Sequence, residues 1–288
     1  MPPLNSKDKL FNKKSTLNCR GKILSLSTPQ VMGILNITPD SFYPGSRLSS
    51  TEEAVARANQ MLTDGADLLD VGGYSTRPGA AEVSEQEEVD RVAPAIEAIH
   101  AAFPEAILSV DTFRAKVAEA AVNAGAAIVN DVSGGILDET MFQTVARLQV
   151  PYILMHMRGT PQTMATLTKY EDLVTEVIDE LQAQQAKLTQ LGVKDVILDP
   201  GFGFAKTVDQ NFELLRRMDE MRILGLPILA GMSRKSMVYK SLEINQADAL
   251  TGTIVVNTIA LMKGADILRV HDVKETKQTI QLYTKTLL

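Results

Sequence analysis

The feature of this sequence that most constrains its fold is a repeated alternation of short apolar runs with longer amphipathic stretches. Each run consists of β-branched or aliphatic residues, ends in polar or glycine residues, and precedes a stretch with helical periodicity. Continuous apolar runs of this length are typical of strands buried on both faces, as in parallel sheets. Eight such runs occur, at residues 31–35, 68–71, 107–110, 127–129, 152–155, 196–198, 227–229 and 267–270.

Helix start and stop signals lie between the runs. The pattern Ser-Glu-Gln-Glu that begins at Ser84 is a capping box, and apolar residues recur after it at helical spacing. Gly125 and Gly192 follow the stretches 115–124 and 171–191, as glycines commonly follow helices. Further helices are predicted over 207–224, 247–263 and 274–287.

These units predict one closed (β/α)₈ barrel, a TIM barrel, in a single domain. No Pro/Ser-rich linker or low-complexity tract interrupts them. An open, doubly wound sheet is the alternative fold. The turn signal at residues 19–22 predicts a short N-terminal hairpin ahead of the first barrel strand. We expect residues 1–20 to be a flexible polar lead and residues 21–288 to be the barrel domain.

Composition excludes several classes of partner. With 29 Lys and Arg against 35 Asp and Glu, the formal charge is −6, which argues against nucleic-acid binding. The single cysteine, Cys19, excludes an internal disulfide and a thiolate metal cluster. No apolar run approaches the roughly 18–20 residues that a membrane span needs. We therefore expect a cytoplasmic protein that binds neither nucleic acid nor membrane.

The residues that follow the apolar runs indicate a ligand site, because such barrels build their sites at the carboxyl ends of the strands. The residues that arrive there are Asn36, Gly72 and Gly73, Asp111, Asn130 and Asp131, His156, Asp199, the segment 233–236, and Arg269 with His271. Barrel interiors favour packed aliphatic residues, so this many polar residues at one rim predict a functional site.

One group of these residues suits a flat heterocycle that carries N–H donors and a ring carbonyl. Asp111 and Asp199 can accept paired N–H bonds, while Asn130 and Lys235 can donate to a carbonyl or a ring nitrogen. The alternative is that both aspartates only cap the helices that follow them, which is the commoner role of a single Asp at such a junction. Four such groups on one rim favour binding.

A second group is cationic and indicates an anionic ligand. Its members are Arg77, Arg234, Lys235, Arg269 and His271. Arg269 and His271 are two residues apart on an extended segment and so point the same way, which suits a phosphate clamp. The alternative is a surface arginine beside a helix-capping histidine. A Mg²⁺ ion held by Asn36, substrate phosphate and water is also predicted.

Five segments together resemble the signature segments of dihydropteroate synthases. They are NITPDSF at 36–42, GYSTRPG at 73–79, DPGFGF at 199–204, SRKS at 233–236 and RVHDV at 269–273, in that family's order. After the first segment, where the family often has Ser-Asp-Gly-Gly, this chain reads Tyr43-Pro44-Gly45-Ser46 and lacks the acidic residue. This loop therefore lacks the acidic side chain that could reach a metal.

The resemblance implies a TIM-barrel homodimer of folate biosynthesis. Its reaction joins 4-aminobenzoate to (7,8-dihydropterin-6-yl)methyl diphosphate, with Mg²⁺, and gives 7,8-dihydropteroate and diphosphate. Sulfonamides compete for the aminobenzoate site of that family. The implied ligand contacts, by matching position, are Asp111, Asn130, Asp199, Lys235 and Met155 for the pterin, Arg269 and His271 for diphosphate, Asn36 for metal and diphosphate, and Thr76, Arg77, Pro78, Phe204 and Ser236 around the aminobenzoate.

These residues fit a dissociative substitution at the pterin methylene, with Asp111, Lys235, Arg269 and His271 as the catalytic set. Arg269, His271 and Mg²⁺ would stabilise the departing diphosphate, and the ring bound beside Asp111 would share the positive charge. The free N–H groups of the helix that opens at Ser236 would hold the aminobenzoate carboxylate.

Three other functions are compatible with such a barrel. A pterin-dependent methyltransferase would share the pterin-binding groups but would not need the clamp of Arg269 and His271. A Schiff-base aldolase would use Lys235, which we expect to remain protonated at a helix start. A catalytically inactive binding or scaffold barrel is supported only by the altered first loop.

Overall fold

A computed structural model describes residues 13–37, 47–74 and 83–287, with residues 47–50 described by their backbone only. The strands are β1 (Thr16–Cys19), β2 (Lys22–Ser25), β3 (Gln30–Asn36), β4 (Leu68–Gly72), β5 (Ile107–Asp111), β6 (Ile128–Asp131), β7 (Tyr152–Met155), β8 (Val196–Asp199), β9 (Leu229–Ala230) and β10 (Ile267–Val270). The helices are α1 (Arg47–Thr63), α2 (Glu85–Ala102), α3 (Ala115–Ala124), α4 (Met141–Leu148), α5 (Leu173–Gln190), α6 (Val208–Arg216), α7 (Ser236–Ser241), α8 (Leu250–Met262) and α9 (Val273–Lys285).

The strands β3 to β10 form one parallel sheet that curls into a ring. Their order is β8-β7-β6-β5-β4-β3-β10-β9, and each hydrogen-bonded pair is parallel. The ends of this sheet meet where the Leu198 N–H donates to the Pro227 carbonyl at 2.8 Å and Leu198 forms a bridge with Ile228. The predicted barrel is confirmed, and the open doubly wound sheet is wrong.

Seven of the eight predicted apolar runs coincide with barrel strands, and the eighth, 227–229, overlaps β9 only at Leu229. Four strands extend to a polar last residue, namely Asn36, Asp111, Asp131 and Asp199. The strand over predicted residues 227–229 is displaced and short, because only Leu229 and Ala230 pair with β10.

The N-terminal hairpin is confirmed. Strands β1 and β2 pair antiparallel around Arg20 and Gly21, which have φ angles of 54° and 91°. The inward side chains Leu17, Cys19 and Leu24 join an apolar cluster with the first residues of the barrel strands, so the hairpin covers the amino-terminal end of the barrel. Since β1 begins at Thr16, the predicted boundary at residue 20 falls inside this hairpin. Residues 1–12 of the predicted lead lie outside the described residues.

Two predicted helix features differ from the structure. Ser84 caps α2 by accepting from the Glu87 N–H, but the Glu87 carboxylate pairs with Arg91, so only half of the predicted capping box is described there. The single helix predicted over 207–224 is divided into α6 and a 3₁₀ segment, Met218–Leu224. A reciprocal capping box between Thr207 and Gln210 begins α6.

Candidate active site

A buried ionic cluster occupies the barrel interior just below its carboxyl-terminal mouth. Arg269 of β10 donates through Nε to Asp70 Oδ2 of β4 and through Nη2 to Asp111 Oδ2 of β5, both at 2.6 Å. Asn130 of β6 donates through Nδ2 to the same Asp70 oxygen at 2.9 Å. Four strands therefore fix a single guanidinium between two carboxylates.

The charges of Asp70, Asp111 and Arg269 partly neutralise one another, but all three groups have lost most of their contact with water. Asp70 is fully buried, and its second oxygen, Oδ1, makes no hydrogen bond among the described residues. Burial raises the pKa of the Asp111 carboxyl, against the opposing effect of Arg269. The two carboxylates outweigh burial at Arg269 and raise the pKa of its guanidinium. Arg269 therefore stays charged, and removing it would leave Asp70 and Asp111 unpaired in the interior.

Asp199 and Lys235 form a second charged pair, in which each residue interacts electrostatically with the other and with Arg269. Asp199 Oδ1 accepts from the Gly201 N–H at 2.8 Å, which folds the loop after β8 back over the strand end. The Lys235 ammonium donates to the Phe202 carbonyl and lies 4.6 Å from the centroid of the Phe204 ring. A cation held against an aromatic face gains electrostatic attraction from the ring.

Burial shifts the titration of both members of this pair. It raises the pKa of Asp199, against the effect of Lys235, and lowers the pKa of Lys235 to about 8. Lys235 is therefore protonated at pH 7, as predicted, but with a smaller margin than an exposed lysine has. A ligand that satisfies both groups would relieve their desolvation.

A small apolar cluster forms one wall of the mouth. Met155 at the end of β7 packs with Met157, Val132 and Ala205, and the partly buried ring of Phe204 packs against them. This arrangement places a flat apolar surface beside Lys235 and Asp199, as a planar ring requires. Phe202, in contrast, is fully buried and belongs to the main core, so it does not reach the mouth.

The alternative that the two aspartates serve as helix caps is wrong. The N-cap of α3 is Arg114, without a side-chain cap bond, and that of α6 is Thr207. The alternative that Arg269 is a surface residue and His271 a helix cap is also wrong. Arg269 lies in the barrel interior, and the N-cap of α9 is Asp272.

His271 and Asn36 complete the mouth at the ends of β10 and β3. Ser233 Oγ accepts from the His271 N–H at 3.1 Å and contacts His271 Nδ1 at 3.0 Å. In a neutral ring whose Nδ1 accepts the Ser233 proton, the ring proton is on Nε2. A Cβ added at Gly72 would lie 3.4 Å from Asp111 Cβ and 3.6 Å from Asn36 Oδ1. Asn36 and Asp111 therefore both lie against Gly72, which has no side chain and leaves room for both.

The structure does not bring every predicted residue to the mouth. Arg234 has a φ of 54° and pairs with Asp272 through Nε and Nη2 at 2.9 and 2.8 Å, so it holds the loops together instead of facing a ligand. His156 turns toward Glu180 of α5. Ser236, by contrast, directly follows Lys235 and is the first residue of the six-residue helix α7. Thr76, Arg77, Pro78 and the altered first loop lie outside the described residues.

Two residues of the site were missed in the sequence. Asp70 interrupts an apolar run that is otherwise buried, and a charged residue inside a fully buried strand was a usable signal. Lys206 is buried beside the loop after β8 and contacts His156 Nδ1 at 2.9 Å. No local pattern signals Lys206, because its partners lie in distant parts of the chain.

The predicted metal site has few protein donors within the described residues. Within the described residues there is no group of three His, Cys, Asp or Glu side chains that could hold a metal ion. A structural metal cage is therefore not found in this part of the chain. The Asn36 oxygen does fit a Mg²⁺ ion that takes most of its ligands from water and substrate phosphate, because Mg²⁺ commonly keeps such ligands and needs few protein oxygens.

The fold and the mouth together define a class: a (β/α)₈-barrel enzyme with a single-ended polar site suited to a flat heterocycle. The sequence profile of the family described as "Pterin binding enzyme" matches residues 32–271. The chain belongs to this family of pterin-binding enzymes, and within it to the dihydropteroate synthases, transferases of folate synthesis.

The relatives make the assignment specific. The dihydropteroate synthase of Escherichia coli K12 is 44% identical over 273 residues, which cover 94% of this chain and 96% of that protein. The structure of Xanthomonas albilineans dihydropteroate synthase with 4-aminobenzoic acid has a TM-score of 0.88 and 39% identity, and covers 95% of this chain and 98% of its own. The Yersinia pestis enzyme in a sulfonamide drug complex has a TM-score of 0.88 and 43% identity, with coverage of 94% and 99%.

These relatives confirm the predicted family, fold and transferase class. The aldolase and the inactive scaffold receive no support from them. The described part of the chain also contains no helix that is long and apolar enough to cross a membrane.

Proposed function

We propose that this chain condenses (7,8-dihydropterin-6-yl)methyl diphosphate with 4-aminobenzoate to give 7,8-dihydropteroate and diphosphate. The observation that carries the proposal is the meeting of Asp111, Asn130, Asp199, Lys235 and Arg269 in one barrel mouth. The solved relatives bound to 4-aminobenzoic acid and to a sulfonamide drug support the choice of the second substrate.

The pterin is proposed to lie between the two charged groups of the mouth. Asp199 accepts from the amino and ring N–H groups of the pterin, while Lys235 donates to its carbonyl or ring nitrogen. Asn130 and Asp111 bind the opposite part of the ring, and Met155 packs on its face. Each charged contact of this kind contributes roughly 1.5–3 kcal/mol to binding.

The chemical step is proposed to be a dissociative substitution. The C–O bond between the pterin methylene and diphosphate breaks first, and the electron pair leaves with the diphosphate. The arylamine nitrogen then forms the new C–N bond and loses a proton to solvent or to the released diphosphate. No protein nucleophile takes part, since the described mouth supplies cations and carboxylates in the positions that leaving-group departure requires.

Arg269 and His271 are proposed to stabilise the departing diphosphate. Asp70 and Asp111 already hold the Arg269 guanidinium in a fixed orientation, so little reorganisation is needed when negative charge develops. The carboxylate of Asp111, which accepts from Arg269 Nη2, is proposed to stabilise the positive charge that the pterin methylene acquires. The catalytic set is therefore Asp111, Lys235, Arg269 and His271.

Mg²⁺ is proposed as the cofactor, held by Asn36 together with substrate diphosphate and water. When bound, it would neutralise charge on the diphosphate oxygens. Asn36 Oδ1 supplies one neutral oxygen at the mouth, close to Asp111. Removal of divalent ions by a chelator is expected to lower turnover, and Asn36→Ala is expected to raise the Mg²⁺ concentration needed for half-maximal rate. Equal Mg²⁺ dependence in both proteins would contradict the assignment of Asn36.

The aminobenzoate is proposed to lie against Phe204, with its carboxylate near Ser236. Phe204 is partly exposed above the Met155 cluster and offers a ring face. Thr76, Arg77 and Pro78 are proposed to complete this pocket, as they do by position in the family. Closure over the ring would exclude water, which would otherwise capture the methylene cation.

We propose that the chain forms a homodimer through α8. Val255, Ile259 and Met262 follow one another at helical spacing on this helix and are 54%, 38% and 67% exposed. An apolar stripe of this kind on the surface is typical of an interface, and a twofold dimer would cover both copies at once. Light scattering is expected to give twice the chain mass, and Val255→Glu with Met262→Glu should reduce it to one chain mass. A monomeric unmodified chain would refute the dimer.

We also propose that the protein is cytoplasmic. Its one cysteine, Cys19, is buried and can form no internal disulfide, which is usual for a protein of a reducing compartment. Fractionation of the source cells tests this, and recovery outside the cytoplasmic fraction would contradict it.

One assay tests the activity directly. Purified chain, both substrates and Mg²⁺ are expected to yield equal amounts of dihydropteroate and diphosphate. The pterin methyltransferase alternative predicts neither product and instead predicts methyl transfer from methyltetrahydrofolate to a corrinoid protein. Absence of dihydropteroate from a folded sample with both substrates would refute the proposed reaction.

A further inference from the structure

Lys206 is a buried charged residue that the reaction described above does not use. Its Nζ lies 2.9 Å from His156 Nδ1, 3.1 Å from the Gly201 carbonyl oxygen and 3.1 Å from the Phe204 carbonyl oxygen. An ammonium group has three N–H donors, whereas a neutral amine has two. Three acceptors around one nitrogen favour the charged form, whose hydrogen bonds are the stronger ones. Burial acts in the opposite direction and lowers the pKa of Lys206 to about 7.

The histidine in this arrangement has a fixed protonation state. Because Nδ1 of His156 accepts from Lys206, its proton must be on Nε2, which donates to Glu180 Oε2 at 3.0 Å. Burial, followed by the nearby Lys206, lowers the pKa of His156 to about 4, so the ring is neutral. Arg158 holds Glu180 from the other side through Nε at 2.9 Å. A continuous hydrogen-bonded chain thus runs from α5 to Lys206.

The loop gripped by Lys206 is the one that forms the mouth beside Asp199. Residues 201–206 include three positive φ angles, 72° at Gly201, 81° at Gly203 and 48° at Ala205, so the backbone turns its carbonyls in different directions. Lys206 binds two of these carbonyls, Lys235 binds that of Phe202, and Tyr170 Oη donates to that of Ala205 at 3.0 Å.

This loop packs closely against the end of β7. A Cβ added at Gly201 would lie 1.9 Å from the backbone oxygen of His156. His156 directly follows Met155, and Phe204 packs in the same cluster as Met155. A displacement of the loop would therefore move Phe204, the Phe202 carbonyl that binds Lys235, and the Met155 wall together.

We propose that Lys206 is a positioning residue for the pterin site. Its ammonium ties the loop 201–206 to the end of β7 through His156, and this sets the distance between the Met155 and Phe204 wall and the Lys235 ammonium. The proposal rests on the assignment of the pterin to this mouth. Lys206 itself does not touch the substrate.

The test compares Lys206→Met, which keeps the length of the side chain but has no donor, with Lys206→Arg, which keeps the charge and several donors. Lys240→Met, on the exposed surface of α7, is the control for loss of a lysine. Steady-state kinetics give KM for the pterin diphosphate and kcat, calorimetry gives the affinity for 6-hydroxymethylpterin, which has no diphosphate to lose, and thermal melting gives the folded fraction.

We expect Lys206→Met to raise KM for the pterin and to weaken 6-hydroxymethylpterin binding by at least about tenfold, with kcat changed less than about threefold. Lys206→Arg should recover at least half of the loss on a logarithmic scale, and Lys240→Met should match the unmodified protein. A folded Lys206→Met with unchanged pterin affinity overturns the proposal. A fall in kcat that only follows the folded fraction, or failure of both Lys206 variants to fold, shows a purely structural role and also overturns it.

The same experiment separates this inference from the pterin assignment. Asp199→Ala is measured alongside and is expected to lose pterin binding whatever the role of Lys206. If Asp199→Ala loses binding and Lys206→Met does not, only the inference about Lys206 fails. If neither loses binding, the pterin does not occupy this mouth, and the proposed function of these residues fails.

Discussion

The two ends of the barrel interior differ in chemistry although they are built from the same strands. At the amino-terminal end, Leu68, Ile128, Ile197 and Ile267 join the hairpin in one apolar cluster. Two residues further along the same strands are the residues of the mouth: Asp70, Asn130, Asp199 and Arg269.

This change takes place within about 7 Å, because two strand residues rise roughly 6.6 Å and share one face of the sheet. The four strands concerned, β4, β6, β8 and β10, alternate around the ring, which is how barrel interiors form layers. One layer of aliphatic side chains therefore provides cohesion, while the next layer provides binding and catalysis. Substitutions in the two layers should separate stability from activity.

The largest effect is expected in the polar layer at Arg269. Arg269→Ala should reduce kcat by about 10²–10³, the usual range for loss of one preorganised charge-stabilising group. Stability should also fall, since Asp70 and Asp111 lose their common partner. Stopped-flow or steady-state rates per folded molecule measure the catalytic part.

Arg269→Lys is the informative control for that measurement. It keeps the positive charge but not the two-armed contact with Asp70 and Asp111, so it should restore more stability than rate. Turnover of Arg269→Ala equal to that of the unmodified protein would refute the leaving-group role and weaken the contrast between the layers.

Asp199→Ala should weaken pterin binding by about 100-fold or more, because it removes two charge-assisted hydrogen bonds. Calorimetry with the pterin measures the loss. The free energy of unfolding should not fall by a similar amount, since burial raises the pKa of Asp199. A protein whose acid has a raised folded-state pKa loses stability as the pH rises from the ordinary pKa of that acid to the raised one, so above the ordinary pKa Asp199 is a net cost to stability.

The unfolding measurement therefore has a definite sign. Asp199→Ala should be as stable as the unmodified chain at pH 7 or more stable, and this difference should shrink in acid. A large loss of stability at pH 7 together with normal pterin affinity would assign Asp199 to the structural layer.

A smaller effect is expected from pH through Lys235. Burial lowers the pKa of Lys235 to about 8, and a lysine is protonated below its pKa. If the charged form binds the pterin, kcat/KM for the pterin should fall about tenfold between pH 7.5 and pH 9. In Lys235→Arg the guanidinium does not titrate in this range, so the dependence should flatten. A profile that is the same in both proteins would exclude Lys235 as its origin.

The smallest effect on activity is expected in the apolar layer. Ile197 lies two residues before Asp199 on β8 and is fully buried. Ile197→Val should lower the free energy of unfolding by about 0.5–1.5 kcal/mol through loss of one buried methyl group. Turnover and pterin affinity per folded molecule should not change. Denaturant unfolding measures the change in stability, and steady-state kinetics on the same preparation measure turnover and pterin affinity. A clear loss of pterin affinity would show that the two layers are coupled.

The sequence predicted the barrel well because strand burial in parallel sheets leaves a local signal. Each strand of the ring overlaps an apolar run, including β6 with its alanine-rich start, and only β9 is displaced from its run. The division of the helix predicted over 207–224 into α6 and a 3₁₀ segment was not predictable. Arg217 and Met218 continue the helical pattern of the sequence, and no local residue signals the end of α6.

The site was predicted where a residue stands next to a strand end and was missed where the partner is remote. Asp111, Asn130, Asp199 and Arg269 follow from their positions in or after the runs. Asp70 and the contact between Lys206 and His156 depend on residues far apart in sequence. Arg234 was misassigned, because its pairing with Asp272 requires two loops to meet.

The ring is joined least firmly between β8 and β9. Elsewhere neighbouring strands share a ladder, but here the described joint is one bridge at Leu198 together with its bond to Pro227. Asp199 is the last residue of β8, and Lys235 lies in the segment between β9 and α7, so the two residues belong to opposite sides of this joint. A ligand bound by both residues would connect the two sides of this joint, which has the fewest paired residues in the ring. Substrate binding and closure of the ring would therefore stabilise each other.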